Sequence, residues 1–198
     1  MVSQRDLRVC FVGDSSVAGL GDSSALGWVG RVTIAALAEG LPITAYNLGV
    51  RKETSVQISQ RIAAEIHPRL APATDPRVVV SFGVNDTVLE SGRLRIDTAE
   101  TISALHRIHA SVASMPLLLI GPPAVDDDKQ NNRIASLDEA LHAQAGALGV
   151  PFISCFAGTV SDAVWRQQIR DGDGFHPDAD GYQHLADLIT APALKWLE

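Results

Sequence analysis

A serine, a histidine and an aspartate, the three side chains of a catalytic triad, occur in this chain within short polar motifs. Ser15 closes a Gly-Asp-Ser motif, and Asp173 stands three residues before His176. A serine hydroxyl becomes a nucleophile when a histidine accepts its proton and an aspartate orients that histidine. A three-residue separation can return a carboxylate to the imidazole within one turn, which favours Asp173 over its rival Asp171. These spacings predict acyl-transfer chemistry.

Two further motifs contain candidate donors for the negative charge that develops on a carbonyl oxygen during acyl transfer. Gly49 ends an Asn-Leu-Gly run and offers a backbone N–H, and Asn85 stands in a Gly-Val-Asn-Asp run and offers a side-chain amide. With the Ser15 N–H these groups could stabilise an oxyanion, and one such donor is typically worth about 3 kcal/mol. The neighbouring Asp86 is expected to organise its loop.

Strand-like and helix-like segments alternate along the chain. Short apolar runs bounded by Gly and Pro predict five strands, at Leu7–Val12, Ile43–Asn47, Arg77–Phe82, Pro116–Ile120 and Pro151–Ser154. Helical spacing of apolar residues predicts helices at Trp28–Glu39, Ser55–Ile66 (closed before Pro68), Ile96–Ser114, Asn132–Leu148 and Ala179–Trp196. This alternation predicts an α/β fold in which helices cover both faces of a parallel sheet.

Such a sheet would bring the polar motifs together. Ser15, Gly49 and Asn85 each follow a predicted strand, and the carboxyl ends of parallel strands lie at one edge of the sheet, where open α/β folds bind ligands. The loop with Asp173 and His176 precedes the last predicted helix, so it can fold back over the same edge. The sequence therefore predicts one site at that edge.

On these motifs the chain resembles the SGNH hydrolases, the GDSL esterase/lipase family, over nearly its whole length. The resemblance implies one catalytic domain over residues 1–198, a flavodoxin-like three-layer α/β/α sandwich with about five parallel strands. It implies that the nucleophile is the serine, that its triad partners are the aspartate and histidine named above, and that the oxyanion donors are Ser15, Gly49 and Asn85. It also implies that no metal or organic cofactor is required.

One loop departs from the family's pattern. After the oxyanion glycine the family often has a second glycine, in a Gly-x-x-Gly-[Asp/Glu]-Thr run, and here Lys52 takes that place. Glycine adopts backbone angles that are costly for lysine, so the loop is expected to follow a different path.

The expected substrate is a small or short-acyl ester, because the inserts between predicted elements are short and none could form a lid domain. Asp14, Val125 and Phe175 are predicted to contact it, together with loop 18–27. Acetylated sugars, aryl esters, thioesters and lysophospholipids are all compatible. The alternative hypotheses are a non-catalytic module that binds a carbohydrate or nucleotide on the same fold, and a flavodoxin-like nucleotide binder.

Three other groups of residues have both a functional and a structural interpretation. The aspartates at 126–128 could hold a divalent cation, but a solvated loop is favoured because oxygen-ligand sites need several groups at defined spacings. His106 and His109 share a helix side without acidic or cysteine companions, so no metal site is predicted there. Arg51 and Lys52 could meet an anionic substrate, although an exposed charged loop is the commoner outcome.

Composition and charge limit the class of protein. A hydrophobic fraction of 46% and a charged fraction of 20% are ordinary for a globular domain. The net charge of −7 argues against nucleic acid or an anionic membrane as the main partner. The N-terminal residues have no signal-peptide core and no apolar run suits a membrane span, so a cytoplasmic location is expected. Cys10 and Cys155 are expected to be buried; the sequence makes no prediction of oligomeric state.

Overall fold

The computed structural model describes residues 5–112 and 115–198. The strands in these residues are β1 (Leu7–Gly13), β2 (Ile43–Gly49), β3 (Asp75–Ser81), β4 (Leu89–Glu90), β5 (Arg93–Leu94), β6 (Leu117–Ile120) and β7 (Phe152–Ile153). The helices are α1 (Ser15–Ala18), α2 (Gly27–Ala38), α3 (Ser55–Leu70), α4 (Thr98–Ser111), α5 (Asp128–Leu148), α6 (Phe156–Thr159), α7 (Ala163–Asp171) and α8 (Ala179–Leu197).

Five of the strands form one parallel sheet in the order β2-β1-β3-β6-β7. Counted along the chain this is the order 2-1-3-4-5 of flavodoxin-like folds, in which the ligand lies where the chain switches direction between the first and third strands. Strands β4 and β5 form a separate antiparallel pair. The predicted α/β/α sandwich with a five-stranded parallel sheet is confirmed.

The register of the sheet aligns the carboxyl ends of its central strands. Gly13 at the end of β1 is level with Gly49 at the end of β2 and with Ser81 at the end of β3. Ser81 is in turn level with Ile120 at the end of β6. The loops that leave these strands therefore start side by side.

Alternate residues of the sheet face two separate hydrophobic cores. Val9 and Phe11 of β1 pack into the core beneath α2 and α8, whereas Cys10 and Val12 pack into the core beneath α3, α4 and α5. The other central strands alternate in the same way, because successive side chains of a strand point to opposite faces. This burial on both faces explains why the strands read as continuous apolar runs.

Helix α3 extends past the point where it was predicted to end. The prediction that it closes before Pro68 is wrong, since the helix continues to Leu70 with the proline inside it. Proline removes one helical hydrogen bond, but Ile66 and Leu70 on either side of it are both buried in the core. Packing of this last turn outweighs the lost bond.

Two other helices begin two or more residues away from the predicted start. α4 starts two residues later than expected, because the Asp97 carboxylate accepts the Glu100 N–H at 2.8 Å and caps the helix. α5 starts four residues earlier, because Asp127 caps it in the same way at the Gln130 N–H. The predicted end of α4 at residues 113–114, and the N-terminal residues 1–4, lie outside the described residues.

The two cysteines are buried, as predicted. Cys10 and Cys155 are each 0% exposed, one in each core. Burial raises the pKa of the Cys10 thiol to about 12 and raises that of Cys155 as well, so both thiols are protonated and structural. None of the helices in the described part of the chain combines the length and apolarity that crossing a bilayer requires.

Candidate active site

Ser15 is held at the sheet edge by the short helix α1, which follows β1 after a single residue. That residue, Asp14, caps α1 by accepting the Ser16 N–H at 2.9 Å. On the next strand, Gly49 lies so close to α1 that a Cβ atom there would be 2.2 Å from the Ala18 nitrogen. Glycine at this position therefore lets the end of β2 approach the serine.

The predicted triad residues form one continuous chain of hydrogen bonds. His176 Nε2 lies 2.8 Å from Ser15 Oγ, and His176 Nδ1 lies 2.7 Å from Asp173 Oδ2. The other carboxylate oxygen of Asp173 accepts the backbone N–H groups of Phe175 and His176, at 3.0 and 2.9 Å. The rival Asp171 instead accepts a hydrogen bond from Gln167.

The Asp173 carboxylate is ionised but is not deeply buried. Partial burial opposes its ionisation, and the hydrogen bonds from His176 and Phe175 outweigh that effect, so the pKa of Asp173 lies below its ordinary value. Its side chain is 56% exposed, against 14% for His176. Water therefore screens this carboxylate more than it screens the imidazole.

The three predicted oxyanion donors differ in whether they already have a hydrogen-bond acceptor. The Ser15 N–H has no acceptor among the described residues. The Gly49 N–H donates to Asn47 Oδ1 at 3.0 Å. The Asn85 amide donates to Asp14 Oδ2 at 3.2 Å and to the Glu53 carbonyl at 3.0 Å. A substrate oxygen would meet the first donor directly and would share or replace the present acceptors of the other two.

Asp14 is a buried carboxylate directly beneath the site. It is 3% exposed, and burial, with a further contribution from nearby Asp86, raises its pKa to about 7, although the hydrogen bonds from Ser16 and Asn85 act in the opposite direction. Asp86 organises its loop as expected, since it accepts the Ser55 N–H at 2.9 Å and the Thr101 hydroxyl at 2.7 Å.

Sequence reasoning missed two side chains that position this edge of the sheet. Arg61 of α3 donates to the carbonyls of Gly13 and Leu48, at 3.0 and 2.9 Å, and so joins the ends of β1 and β2. Asn47 donates to the Val17 carbonyl at 2.7 Å and so joins β2 to α1. The sequence did contain one indication of Arg61. It stands three residues after Ile58, so it lies on the apolar face of the helix, where a charged side chain is unusual.

The triad opens into a cavity of about 370 Å³. Two of the predicted substrate contacts, Asp14 and Phe175, line this cavity, and so does Leu20 of the predicted loop 18–27. Val125 does not line it: this residue is 1% exposed, and its backbone is bonded to Asn131 and Arg166 instead.

The acidic run and the helical histidines lie elsewhere and have structural contacts. Asp127 caps α5, and Asp126 lies 3.5 Å from both Arg166 and Arg170. Asp126 and Asp127 lie in a loop, and Asp127 and Asp128 are exposed, so the expected solvated loop is confirmed except that Asp128 is the first residue of α5. His106 contacts Gln144 at 3.4 Å on the surface. Within residues 5–112 and 115–198 no group of three His, Cys, Asp or Glu side chains is placed to hold a metal.

A flavodoxin-like sandwich that brings a serine, an aspartate and a histidine, in that chain order, to the carboxyl edge of its sheet has the arrangement of the SGNH hydrolases. The chain belongs to the GDSL-like lipase/acylhydrolase family, whose sequence profile matches residues 11–184. That range contains every site residue predicted from the sequence. No curated protein sequence matches the chain significantly.

Solved structures share the fold over almost the whole chain. The lipase/acylhydrolase from Enterococcus faecalis is 24% identical, with a TM-score of 0.80 and coverage of 97% of each chain. The esterase EstA from Pseudoalteromonas sp. is 17% identical, with a TM-score of 0.76 over 97% of this chain and 99% of its own. The acetylxylan esterase Axe2 from Geobacillus stearothermophilus, in a catalytic mutant, is 16% identical, with a TM-score of 0.72 over 96% and 94%.

Proposed function

We propose that the chain is a serine hydrolase that cleaves small or short-acyl carboxylic esters through an acyl-enzyme intermediate on Ser15. Residues 1–198 act as one catalytic domain in this proposal. The observation that carries it is the unbroken hydrogen-bond chain from Asp173 through His176 to the Ser15 hydroxyl. Membership of an acylhydrolase family supports ester hydrolysis as the reaction.

In the first half of the reaction Ser15 Oγ attacks the ester carbonyl carbon while His176 Nε2 takes the hydroxyl proton. Asp173 accepts the Nδ1–H, fixes the tautomer of the imidazole and stabilises the imidazolium that forms. The tetrahedral intermediate then collapses as His176 donates this proton to the leaving alkoxide. The products of this half are a free alcohol and an acyl group on Ser15.

In the second half water takes the place of the alcohol. His176 Nε2 removes a proton from the water as its oxygen attacks the acyl carbon, and the same proton returns to Ser15 Oγ when the carboxylic acid leaves. In both halves the oxyanion accepts hydrogen bonds from the Ser15 and Gly49 N–H groups and from the Asn85 amide. Donors that are fixed before the reaction stabilise the transition state more than the neutral carbonyl.

The neighbours supply independent support for a serine and a histidine in these roles. Catalytic mutants of Axe2 replace a serine in one case and a histidine in another by alanine. EstA has been described inhibited by monoethylphosphonate, whose tetrahedral phosphorus resembles the tetrahedral intermediate of acyl transfer. The cavity of about 370 Å³ lies at the small end of ligand sites, which favours a small substrate.

Hydrolysis of 4-nitrophenyl acetate, butyrate and octanoate by the wild type and by Ser15→Ala tests the proposal. We expect turnover that decreases with chain length and is lost in the variant. Ser103→Ala, which removes an exposed hydroxyl on α4, is the control and keeps wild-type rates. Equal rates in Ser15→Ala and wild type would exclude Ser15 as the nucleophile, and a wild type that binds small molecules without turnover would favour the binding module.

A further inference from the structure

One wall of the active-site cavity carries three cationic side chains. Arg51, Lys52 and Arg95 line the same cavity as Ser15 and His176, although the chain as a whole has a net charge of −7. Three carboxylates, those of Asp14, Glu90 and Asp173, line the same cavity. A cation there attracts an anionic ligand only where no carboxylate already balances it.

The carboxylates that line the cavity have partners other than Arg51 and Lys52. Asp14 accepts hydrogen bonds from Ser16 and Asn85, and Asp173 is bonded to His176. Glu90 pairs with Arg95 at 3.2 Å. Glu53, next in sequence to Lys52, is turned away and pairs with Arg61 at 2.6 Å. Arg51 and Lys52 form no salt bridge with any carboxylate of the described residues, whereas most of the described arginines are paired with an acid.

The backbone of Lys52 is strained in a way that a glycine would relieve. Its φ of +65° lies in the left-handed region, at the third position of a turn in which the Glu53 N–H meets the Val50 carbonyl at 3.4 Å. Arg95 holds this turn from the side by donating to the Lys52 carbonyl at 3.1 Å. A costly residue held in place at a cleft points to a role for its side chain.

Other parts of the cavity lining are apolar. Val84, Val88, Pro123 and Phe175 line the cavity together with the three cations. An apolar lining accepts the hydrocarbon part of a substrate, and unpaired cations accept a charged part. The cavity therefore suits an ester that carries both.

We propose that the ester cleaved at Ser15 carries a carboxylate, sulfonate or phosphate group that Arg51 and Lys52 bind directly, with Arg95 positioning their loop. This inference rests on the proposed function and adds the charge of the substrate to it. Both side chains are suited to these anions: arginine binds them through two parallel hydrogen bonds, and lysine through its compact positive charge.

Matched pairs of esters test the charge preference and show which half of the substrate carries the anion. For an anionic acyl group the pair is mono-4-nitrophenyl adipate and 4-nitrophenyl hexanoate. For an anionic alcohol it is 4-acetoxybenzoate and phenyl acetate. In at least one pair we expect the kcat/KM of the anionic ester to exceed that of the neutral ester in the wild type. Lys195→Met, which removes an exposed charge at the far end of α8, is the control and should keep this ratio within twofold of the wild-type value.

Removing the cations provides the decisive comparison. Lys52→Met and Arg51→Met should each lower that ratio by about three- to tenfold, and 0.5 M salt should lower the wild-type ratio in the same direction. Lys52→Arg, which keeps the charge and the strained backbone, should retain most of the preference. A ratio that is the same in wild type, Lys52→Met and Arg51→Met for both pairs would overturn the inference while leaving ester hydrolysis intact.

A binding measurement separates this inference from the proposed function. Ser15→Ala should bind the intact anionic ester several-fold more tightly than its neutral partner in calorimetry, and Lys52→Met added to it should remove the difference. If the wild type cleaves no ester, the proposed function fails, and this binding ratio still decides whether the cavity selects an anion. Equal affinities for both members of each pair would contradict it.

Discussion

The nucleophile and the carboxylate of the candidate triad stand in contrasting surroundings. Ser15 is 6% exposed, and the edge of the sheet around it is joined by side chains from distant parts of the chain, such as Arg61 bonded to Gly13. Asp173 is more than half exposed, and its carboxylate bonds, within the described residues, only to Phe175 and His176. The serine side is part of the packed fold, and the aspartate lies on an exposed loop.

The pKa values of two carboxylates express the same contrast. Burial raises the pKa of Asp14 on the serine side to about 7, whereas hydrogen bonds from His176 and its neighbours lower the pKa of Asp173 on the loop side. Interactions in the buried region are weakly screened and should be expensive to remove. Interactions of the exposed aspartate are screened by water and should be worth less.

The largest effect is expected at the residue that joins the two regions. His176→Ala removes the group that takes the Ser15 proton, so kcat/KM for 4-nitrophenyl acetate should fall by about 10⁴-fold. His106→Ala, which removes an exposed histidine on α4, should stay within twofold of wild type. A loss below tenfold in His176→Ala would show that the serine does not depend on this base.

Burial of the Asp14 carboxylate should make the free energy of unfolding decrease as the pH rises. Because the pKa of Asp14 is raised in the folded state to about 7, folding favours its protonated form. This contribution is complete below about pH 4 and is lost as the pH rises through 7, by up to roughly 4 kcal/mol. Urea unfolding from pH 4.5 to 8 should show that the free energy of unfolding decreases more steeply with pH in the wild type than in Asp14→Asn. Identical slopes would contradict the raised pKa of Asp14.

Removal of the Asn85 amide should have the next largest effect. The amide is proposed to meet the oxyanion, so Asn85→Ala should lower kcat by about 10²–10³-fold with a smaller change in KM. Asn132→Ala, an exposed asparagine on α5, is the control and should keep wild-type kinetics. If Asn85→Ala altered KM alone, the amide would act in substrate binding and not on the transition state.

The smallest loss in this series is expected on the exposed loop. Asp173→Asn keeps the shape but weakens the bond to His176 Nδ1, and because the carboxylate is exposed, kcat/KM should fall by only about 10- to 100-fold. Asp171→Asn, whose partner is Gln167, should change it by less than twofold. A loss in Asp173→Asn as large as that in His176→Ala would contradict the contrast between the two regions.

The sequence predicted the sheet and the grouping of the site because both depend on local patterns. Apolar runs with β-branched residues identify strands buried on both faces, and the order of the motifs after β1, β2 and β3 places them at one edge. Ser15, Asp173 and His176 come together in the structure as those motifs predicted. Their chemical roles stay a prediction until kinetics test them.

What the sequence did not predict depends on contacts between distant residues. The continuation of α3 through Pro68 requires the burial of Leu70 against the sheet, which no local pattern reveals. Helix α7 was missed because only Trp165 and Ile169 face the core, too few for a periodic pattern. Val125 was predicted to line the pocket, but its backbone bonds to Asn131 hold it beneath the surface.

The central claim is that His176 activates Ser15 as a nucleophile, and covalent labelling tests it most directly. An alkyl fluorophosphonate should add one phosphonyl group per chain, with loss of fluoride, and fragmentation mass spectrometry should place it on Ser15. Ser16→Ala should still be labelled, Ser15→Ala should not, and His176→Ala should react at least 10³-fold more slowly. Labelling at another residue, or at equal rates in His176→Ala and wild type, would contradict the account.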